Sequence, residues 1–447
     1  MALSGIQIYK LLPQTNCKEC GFPTCLAFAM KLAAKQVELS LCPYVSDTSK
    51  AQLAESAAPP MRLVTLRADG HEIKVGNEVV LFRHEKTFYN KPGLFVRVRD
   101  DEPVDAIKAK IAQADQFAVT YVGIDLTLDG FAIEAVKNDP AIFADAIRAV
   151  REVTKRPVIL ISRDAKIMAA GLLAVDGESP LIYAADENNF EAMTELAKQH
   201  KAPLAVVAES IDRLAELTVK IKEKGVEDLV IDPAARDLQS SLVLHTQIRR
   251  LALKKNFHAV GYPTITFPGE SAIESVAATQ AITKYAGFIV FDHFMPEMVY
   301  PLLVLRQNIY TDPQKPIQVQ PGLYEINNPQ PEDPVLVTTN FSITYFSVAN
   351  EVESSGLPAW LLVADAEGMS VLTAWAAGKF DAERIAKGVK QFGVADKVSQ
   401  KRIVLPGHVA VLSGELESEL PGWEVRVGPR EAVDLPTFMK QALGVTN

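Results

Sequence analysis

The chain has 447 residues, 48% of them hydrophobic, and a formal charge of −9, enough apolar material for sizeable cores in two or three domains. The acidic balance excludes nucleic acid and anionic membrane surfaces as natural partners. No apolar run is long enough to span a bilayer, and the run from Leu26, broken by Lys31 and Lys35, makes no secretory signal, so a cytoplasmic location is expected.

All four cysteines lie near the start, Cys17, Cys20, Cys25 and Cys42, spaced C-x2-C-x4-C-x16-C and followed by Pro43. Four thiolates are the ligand set of a [4Fe-4S] cluster, and a Cys-Pro closing the set is common in such sites. Gly21 and Pro23 keep the chain turning, so the first three cysteines can face one point. Leu26 to Lys35 reads as a helix with one apolar side that brings Cys42 back to them. Three other readings stand beside this one. A four-thiolate zinc site usually shows two C-x2-C knuckles, where this chain has one. A disulfide pair suits a secreted chain, which this one does not resemble. A [2Fe-2S] centre is the third.

Ala51 to Pro60 is small, polar and reads as a linker. Met61 to Leu66, then Asp69-Gly70, then a β-rich run around Val79-Val80-Leu81-Phe82 predict a hairpin that lids or precedes the next domain. From Leu94 eight short β-rich runs alternate with amphipathic stretches: Leu94–Val98, Phe117–Ile124, Val158–Ile161, Leu181–Ala184, Leu204–Val207, Leu229–Ile231, Ala259–Tyr262 and Phe288–Phe291. Intervening stretches such as Asn189–Lys201, Ile211–Lys224 and Leu238–Lys254 read as helices. Strands alternating with helices pair in parallel through right-handed crossovers, and eight such units close into a (β/α)8 TIM barrel. An open doubly wound sheet is the alternative. The expected strand ends carry Asp125, Ser162, Asp164, Asp186, Glu209, Asp232, Thr264, Asp292 and His293. This is a rim able to bind a pterin or a protein, or simply to cap the helices that follow.

Pro313 to Pro334, with Pro316, Pro321, Pro329 and Pro331 between, reads as an extended, semi-rigid linker. Beyond it, strands are expected at Val335–Thr339, Trp360–Asp365, Arg402–Leu405, Val409–Leu412 and Trp423–Val427. Helices are expected at Phe341–Val352, opened by Asn340 as N-cap, and at Met369–Ala377 and Leu435–Leu443. The result is a small Rossmann-like α/β domain. Its ligand loops are Thr339-Asn340, Gly368-Met369-Ser370 and Pro406-Gly407. With Thr344 and Thr373 supplying hydroxyls, they suit a large amide-fringed ring with a phosphate tail, among other ligands. The nicotinamide fingerprint G-x-G-x-x-G is absent.

The cysteine segment, the stretch Thr338-Thr339-Asn340-Phe341-Ser342 and the order of the parts over the whole chain resemble the large subunit of the corrinoid iron-sulfur protein. The resemblance implies an α/β protein with a four-cysteine iron-sulfur domain (residues 1–58), a hairpin lid (59–93), a TIM barrel (94–312) serving as scaffold, a Pro-rich linker (313–334) and a corrinoid-binding domain (335–447). It implies a methyl carrier. A methyl group passes from methyl-tetrahydrofolate, held by a separate methyltransferase, to Co(I), and from methyl-Co(III) to acetyl-CoA synthase. The [4Fe-4S] cluster, fed by a reductive activator or ferredoxin, rescues Co(II). A small subunit completes a heterodimer. Corrinoid contacts are then expected from Thr339, Asn340, Thr344, Gly368, Met369, Ser370, Val371, Leu372, Thr373, Pro406, Gly407, Gly428 and Pro429. The histidine signature D-x-H-x-x-G is not met by Asp69-Gly70-His71, Asp292-His293 or His408, which agrees with a base-off cobamide. The alternatives are an iron-sulfur electron carrier without cobalt, and a self-contained barrel methyltransferase with a pterin at Asp125, Asp186 or Asp232.

Overall fold

The computed structural model describes residues 4–34, 36–50, 53, 59–121, 124–270, 273–312 and 317–446. Lys35, most of the expected linker Ala51 to Pro60, Val122-Gly123 and Pro313 to Pro316 lie outside them. The chain divides into two compact units. One runs to Phe117 and resumes over Leu128–Arg306; the other joins Ala118–Thr127 to the chain from Gln307 onward.

The first unit opens with helices Gly5–Leu11 and Cys25–Ala33, then a hairpin of β1 (Leu63–Ala68) and β2 (His71–Gly76). The hairpin turns at Asp69-Gly70, both left-handed, and pairs Ala68 with His71. Its second strand therefore follows the turn at once, and the run around Val79–Phe82 is not a strand. Such a two-residue loop matches strand twist and needs no longer connection.

Eight parallel strands follow: β3 (Gly93–Arg99), β6 (Gly130–Glu134), β7 (Val158–Ile161), β8 (Leu181–Ala185), β9 (Leu204–Val207), β10 (Leu229–Asp232), β11 (Ile265–Thr266) and β12 (Phe288–Phe291). They lie in the order β10-β9-β8-β7-β6-β3-β12-β11. A parallel bridge from Ile231 to Thr264 closes the ring. Six of the eight expected strands stand where the sequence puts them. Ala259–Tyr262 holds instead a 3-10 turn, with the strand starting at Ile265. The expected run Phe117–Ile124 gives no barrel strand; its residues Ala118–Tyr121 form β4, which pairs antiparallel with β5 (Ile124–Thr127), and the barrel takes Gly130–Glu134 in its place. The two runs have equal β character, but only the second is buried along almost its whole length.

The barrel core joins Phe95, Ala132, Ile159, Leu181, Val230 and Phe288 to Val64, Leu66, Ile73 and Val75 of the first hairpin. That hairpin lids the end where the strands begin. Arg67 bridges to Ser179, just before β8, and the Arg62 N–H donates to the Gly261 carbonyl over 2.8 Å, before β11.

In the second unit β13 (Gly322–Ile326), β14 (Val335–Thr339), β15 (Ala359–Ala364), β16 (Arg402–Leu405) and β17 (Glu424–Val427) form a sheet ordered β13-β15-β14-β16-β17. Four strands are parallel; β13 runs antiparallel on the edge. So part of the expected proline-rich linker is an edge strand, a position that tolerates the neighbouring prolines. Taken from β14, the parallel order is 2-1-3-4, the flavodoxin-like doubly wound order rather than the Rossmann order 3-2-1-4. Val409–Leu412 is not a strand; it lies in the 3-10 segment Gly407–Leu412, and the helix Ser413–Glu419 follows. Among the described residues no helix is long and apolar enough to cross a membrane.

A Cβ on Gly130 would sit 2.1 Å from the Pro157 carbonyl oxygen and 2.5 Å from the Phe95 ring. Gly130→Ala should therefore destabilise the protein by about 1–3 kcal/mol in urea unfolding.

Candidate functional site

The cysteine segment is built around the start of the helix Cys25–Ala33. Thr24 caps that helix, its hydroxyl accepting from the Ala27 N–H at 3.1 Å. Cys25 is its first residue. Asn16, in the left-handed region, clasps it: its Oδ1 accepts from the Cys25 N–H at 2.8 Å and its N–H donates to Cys25 Sγ at 3.4 Å. Cys42 caps a 3-10 turn, Leu39–Leu41. The Tyr44 hydroxyl donates to Glu19 Oε1 over 2.7 Å, tying the Cys42 end to the Cys17–Cys20 loop.

All four thiols are free. Cys25 and Cys42 are buried in a small core with Ile8, Phe28 and Val45, Cys20 packs against it, and Cys17 is exposed. Among the described residues no three His, Cys, Asp or Glu side chains gather closely enough to hold one metal ion. A cubane asks for a wider set, because each thiolate binds its own iron. Four free thiols flanking one short helix, with a backbone N–H on Cys25 Sγ and an apolar core beneath, fit that group.

The barrel mouth is filled from within. Arg97, 3% exposed, grips Asp292 with two bonds of 2.7 and 2.8 Å and reaches Glu270 at 2.9 Å. Arg99 joins Asp292 to Glu134. Arg236 donates to Asp232 at 2.8 and 3.0 Å and to Glu270 at 2.6 Å, while the Tyr183 hydroxyl donates to Asp232 at 2.6 Å. Burial pushes the Asp292 carboxyl up, but the hydrogen bonds and charges of Arg97 and Arg99 outweigh it and hold the carboxyl below the usual range.

The remaining expected rim residues serve the barrel itself. Asp164 caps the helix Ala165–Ala174, and the Ser162 hydroxyl accepts from the Asp164 N–H. Asp186 pairs with Arg163, Thr264 makes the closing bridge, and His293 meets Glu274 at 2.8 Å. Glu209 is exposed beyond β9. Asp125 is not on the rim at all; in the β4–β5 hairpin it accepts from Thr120.

In the second unit, β14 and β16 are paired at two positions only, Val335 with Ile403 and Leu336 with Val404. Beyond them the strands part, and a cleft of about 890 Å³ opens at their C-terminal ends. This is the switch point of a doubly wound sheet, where the crossovers leave on opposite sides. One wall is the helix Ser342–Ser355, the other the loops after β16 and β17.

Thr344, Ser370, Val371, Leu372, Pro406, Gly428 and Pro429 line the cleft; Thr339, Asn340, Gly368, Met369, Thr373 and Gly407 do not. Asn340 is a knot, not an N-cap. Its Oδ1 accepts from the N–H groups of Ala366 and Gly368 at 2.9 and 3.0 Å, and its Nδ2 donates to Gln318 and Asp365. Gly368, left-handed, lies against Gln318, and Gly407 lets the loop press on the Gly428 carbonyl, 2.6 Å from where a Cβ would stand. The helix expected from Met369 begins at Val371. The Ser370 hydroxyl donates to Thr373 instead of capping it.

Sequence reasoning missed Tyr121, Thr338, Ile343, Phe346, Ser347, Asn350 and His408 on the cleft walls. The helical set could have been found: Ile343, Phe346, Ser347 and Asn350 recur at helical spacing on one face. The fit to a large ligand rests on Thr338, fully buried on the wall with no partner for its hydroxyl. Such a group costs free energy until something supplies a hydrogen bond. His408 stands 3.9 Å from Glu431 and is left outside any Asp-x-His motif.

A family model described as CO dehydrogenase/acetyl-CoA synthase delta subunit matches residues 63–439. Another, described as an Fe-S cluster family, matches residues 12–44, the interval that holds all four cysteines. The chain is 44% identical to the corrinoid/iron-sulfur protein large subunit of Moorella thermoacetica, over 99% of this chain and 100% of that one. It is 37% identical to the acetyl-CoA decarbonylase/synthase complex subunit gamma of Methanopyrus kandleri, over 98% of each. Among solved structures, dihydropteroate synthase from Thermus thermophilus shares 14% identity at a TM-score of 0.39, covering 56% of this chain and 100% of that one.

Asn340→Ala strands two buried N–H groups and should cost about 2–4 kcal/mol of stability, read as a lower denaturant midpoint of the second unit. Asp292→Asn tests the barrel mouth. A carboxyl whose pKa is lowered on folding stabilises above its unfolded pKa and ceases to do so as pH falls through the folded one. The stability gap between wild type and D292N should be full at neutral pH and close in acid, as followed by thermal unfolding across pH.

Proposed function

Because this chain belongs to the family of the corrinoid/iron-sulfur protein large subunit and the acetyl-CoA decarbonylase/synthase gamma subunits, we propose that it carries methyl groups on a corrinoid held in the second unit. An iron-sulfur cluster at the N-terminus keeps that corrinoid active. When bound, the corrinoid supplies the cobalt that takes up and releases the methyl group, and the cluster supplies low-potential electrons. The observation that carries the reading is the cleft between β14 and β16, with Thr338 on its wall, on a chain that also holds four free cysteines within its first 42 residues.

The roles of the residues follow. Cys17, Cys20, Cys25 and Cys42 hold a [4Fe-4S] cluster, Asn16 orients Cys25, and the Tyr44–Glu19 bond closes the loop. Thr338, Thr344 and Ser370 offer hydroxyls to the amide fringe of the ring. Val371, Leu372, Ile343 and Phe346 exclude water from its face. Pro406, Gly428 and Pro429 form the wall opposite. Asn340, Gly368 and Gly407 act through the loops they shape, not by touching the ligand. The second unit carries no Asp-x-His motif, so this chain would offer a bound corrinoid no histidine of that kind, which suits a base-off cobamide. The barrel is scaffold: its mouth carboxylates are already bonded to Arg97, Arg99 and Arg236, which disfavours the self-contained pterin methyltransferase.

The partners consistent with this role are a small subunit, a methyl-tetrahydrofolate methyltransferase, acetyl-CoA synthase and a reductive activator or ferredoxin, in a reducing cytoplasm. The test is anaerobic purification with the small subunit and measurement of metals and absorption. About four irons and one cobalt per chain support the reading; iron without cobalt leaves an electron carrier. Cys20→Ala should keep its cobalt, lose the cluster's absorption, and fail to recover from oxidation with a donor that rescues wild type. Normal recovery would remove the reactivating role from the cluster.

A further inference from the structure

One wall of the cleft is built by residues far away in the chain. Residues 118–127 have the composition of a barrel strand, yet the barrel passes them over for Gly130–Glu134. Ala118–Tyr121 and Ile124–Thr127 form the β4–β5 hairpin, paired from Ala118 with Thr127 to Tyr121 with Ile124. The Thr120 hydroxyl pins it, donating to Asp125 over 2.6 Å. The hairpin is compact with the second unit and not with the first.

Tyr121, at the end of β4, packs against the small core around Leu336, Leu361 and Val363. It also lines the cleft, with Ile317, Thr338 and Phe346. The side chain is half-buried, and among the described residues its hydroxyl makes no hydrogen bond. A tyrosine in this position uses its ring for packing and keeps a polar tip for a partner. Thr338, whose buried hydroxyl also has no partner, is among the residues that line the same cavity. Two residues with unpartnered hydroxyls, from segments more than two hundred residues apart, line one cleft.

We propose that Tyr121 is a ligand-positioning residue. Its hydroxyl donates a hydrogen bond to an oxygen acceptor on the rim of the bound cofactor, an amide carbonyl or a phosphate oxygen, while its ring anchors the hairpin to the core. The proposal rests on the reading of the cleft as the corrinoid site. It assigns a purpose to an excursion that the barrel does not need: the hairpin is a specificity element for the cofactor, delivered from within the barrel's sequence.

The experiment uses the complex with the small subunit, purified anaerobically as wild type, Tyr121→Phe and Tyr121→Leu. Loss of corrinoid on dialysis is followed by cobalt content and visible absorption, with thermal unfolding alongside. One net hydrogen bond corresponds to about a five- to tenfold change. Y121F should therefore lose corrinoid about five- to tenfold faster, with an altered visible band and an unchanged unfolding temperature. Wild-type retention in both variants overturns the assignment of Tyr121. Faster loss confined to Y121L overturns the hydroxyl's role, because the ring alone would then account for it. A wild-type complex without cobalt overturns the reading of the cleft, and this proposal with it.

Discussion

Strands β14 and β16 are hydrogen-bonded at two residue pairs and then part. The crossover from β14 leads to β15 on one side and that from β16 to β17 on the other, so the segments that follow them diverge and leave the crest open. The cleft, its lining and its unpartnered groups follow from that parting. Thr338 is paired through its backbone with Val363 of β15, while its buried hydroxyl has no partner. Gly407 lets the loop after β16 press against the Gly428 carbonyl, which keeps the far wall close.

The barrel shows the opposite outcome from similar parts. Its strand ends also carry polar side chains, and a barrel's chemistry sits at that face. Here Arg97, Arg99 and Arg236 reach into the mouth and take up Asp292, Glu134, Glu270 and Asp232. Buried ion pairs of this kind add little net stability, since desolvation offsets their attraction. They do fix geometry and occupy space. A mouth occupied this way serves as a rigid frame, whereas the sheet of the second unit leaves a cleft of about 890 Å³ open.

Much of this was legible in the residues. Six barrel strands, the spacing of four cysteines and four parallel strands of the second unit follow from periodicity, turn residues and thiolate chemistry. The misses have physical causes. Phe117–Ile124 and Gly130–Glu134 are both β-rich, and nothing local says which of them will be buried on both faces. Asn340 sits before a helix and has the chemistry of an N-cap, yet the loop after β15 offers two backbone N–H groups that its carbonyl oxygen takes instead. Gly322–Ile326 lies among prolines and reads as linker, but an edge strand needs partners on one side only.

The sequence by itself set four thiols within the first forty-odd residues at a spacing that suits an iron-sulfur cluster, because such spacing acts over short stretches of chain, and it determined the alternation that makes an α/β protein. Only the tertiary structure decided that Tyr121, Thr338 and His408 share one cavity. Only it showed that Asp125 leaves the barrel rim and that Asp232 and Asp292 are bound by arginines. Local pattern settles what a segment can become. Which segments meet depends on where strands part and close, and that is set by pairings between residues that the chain holds far apart.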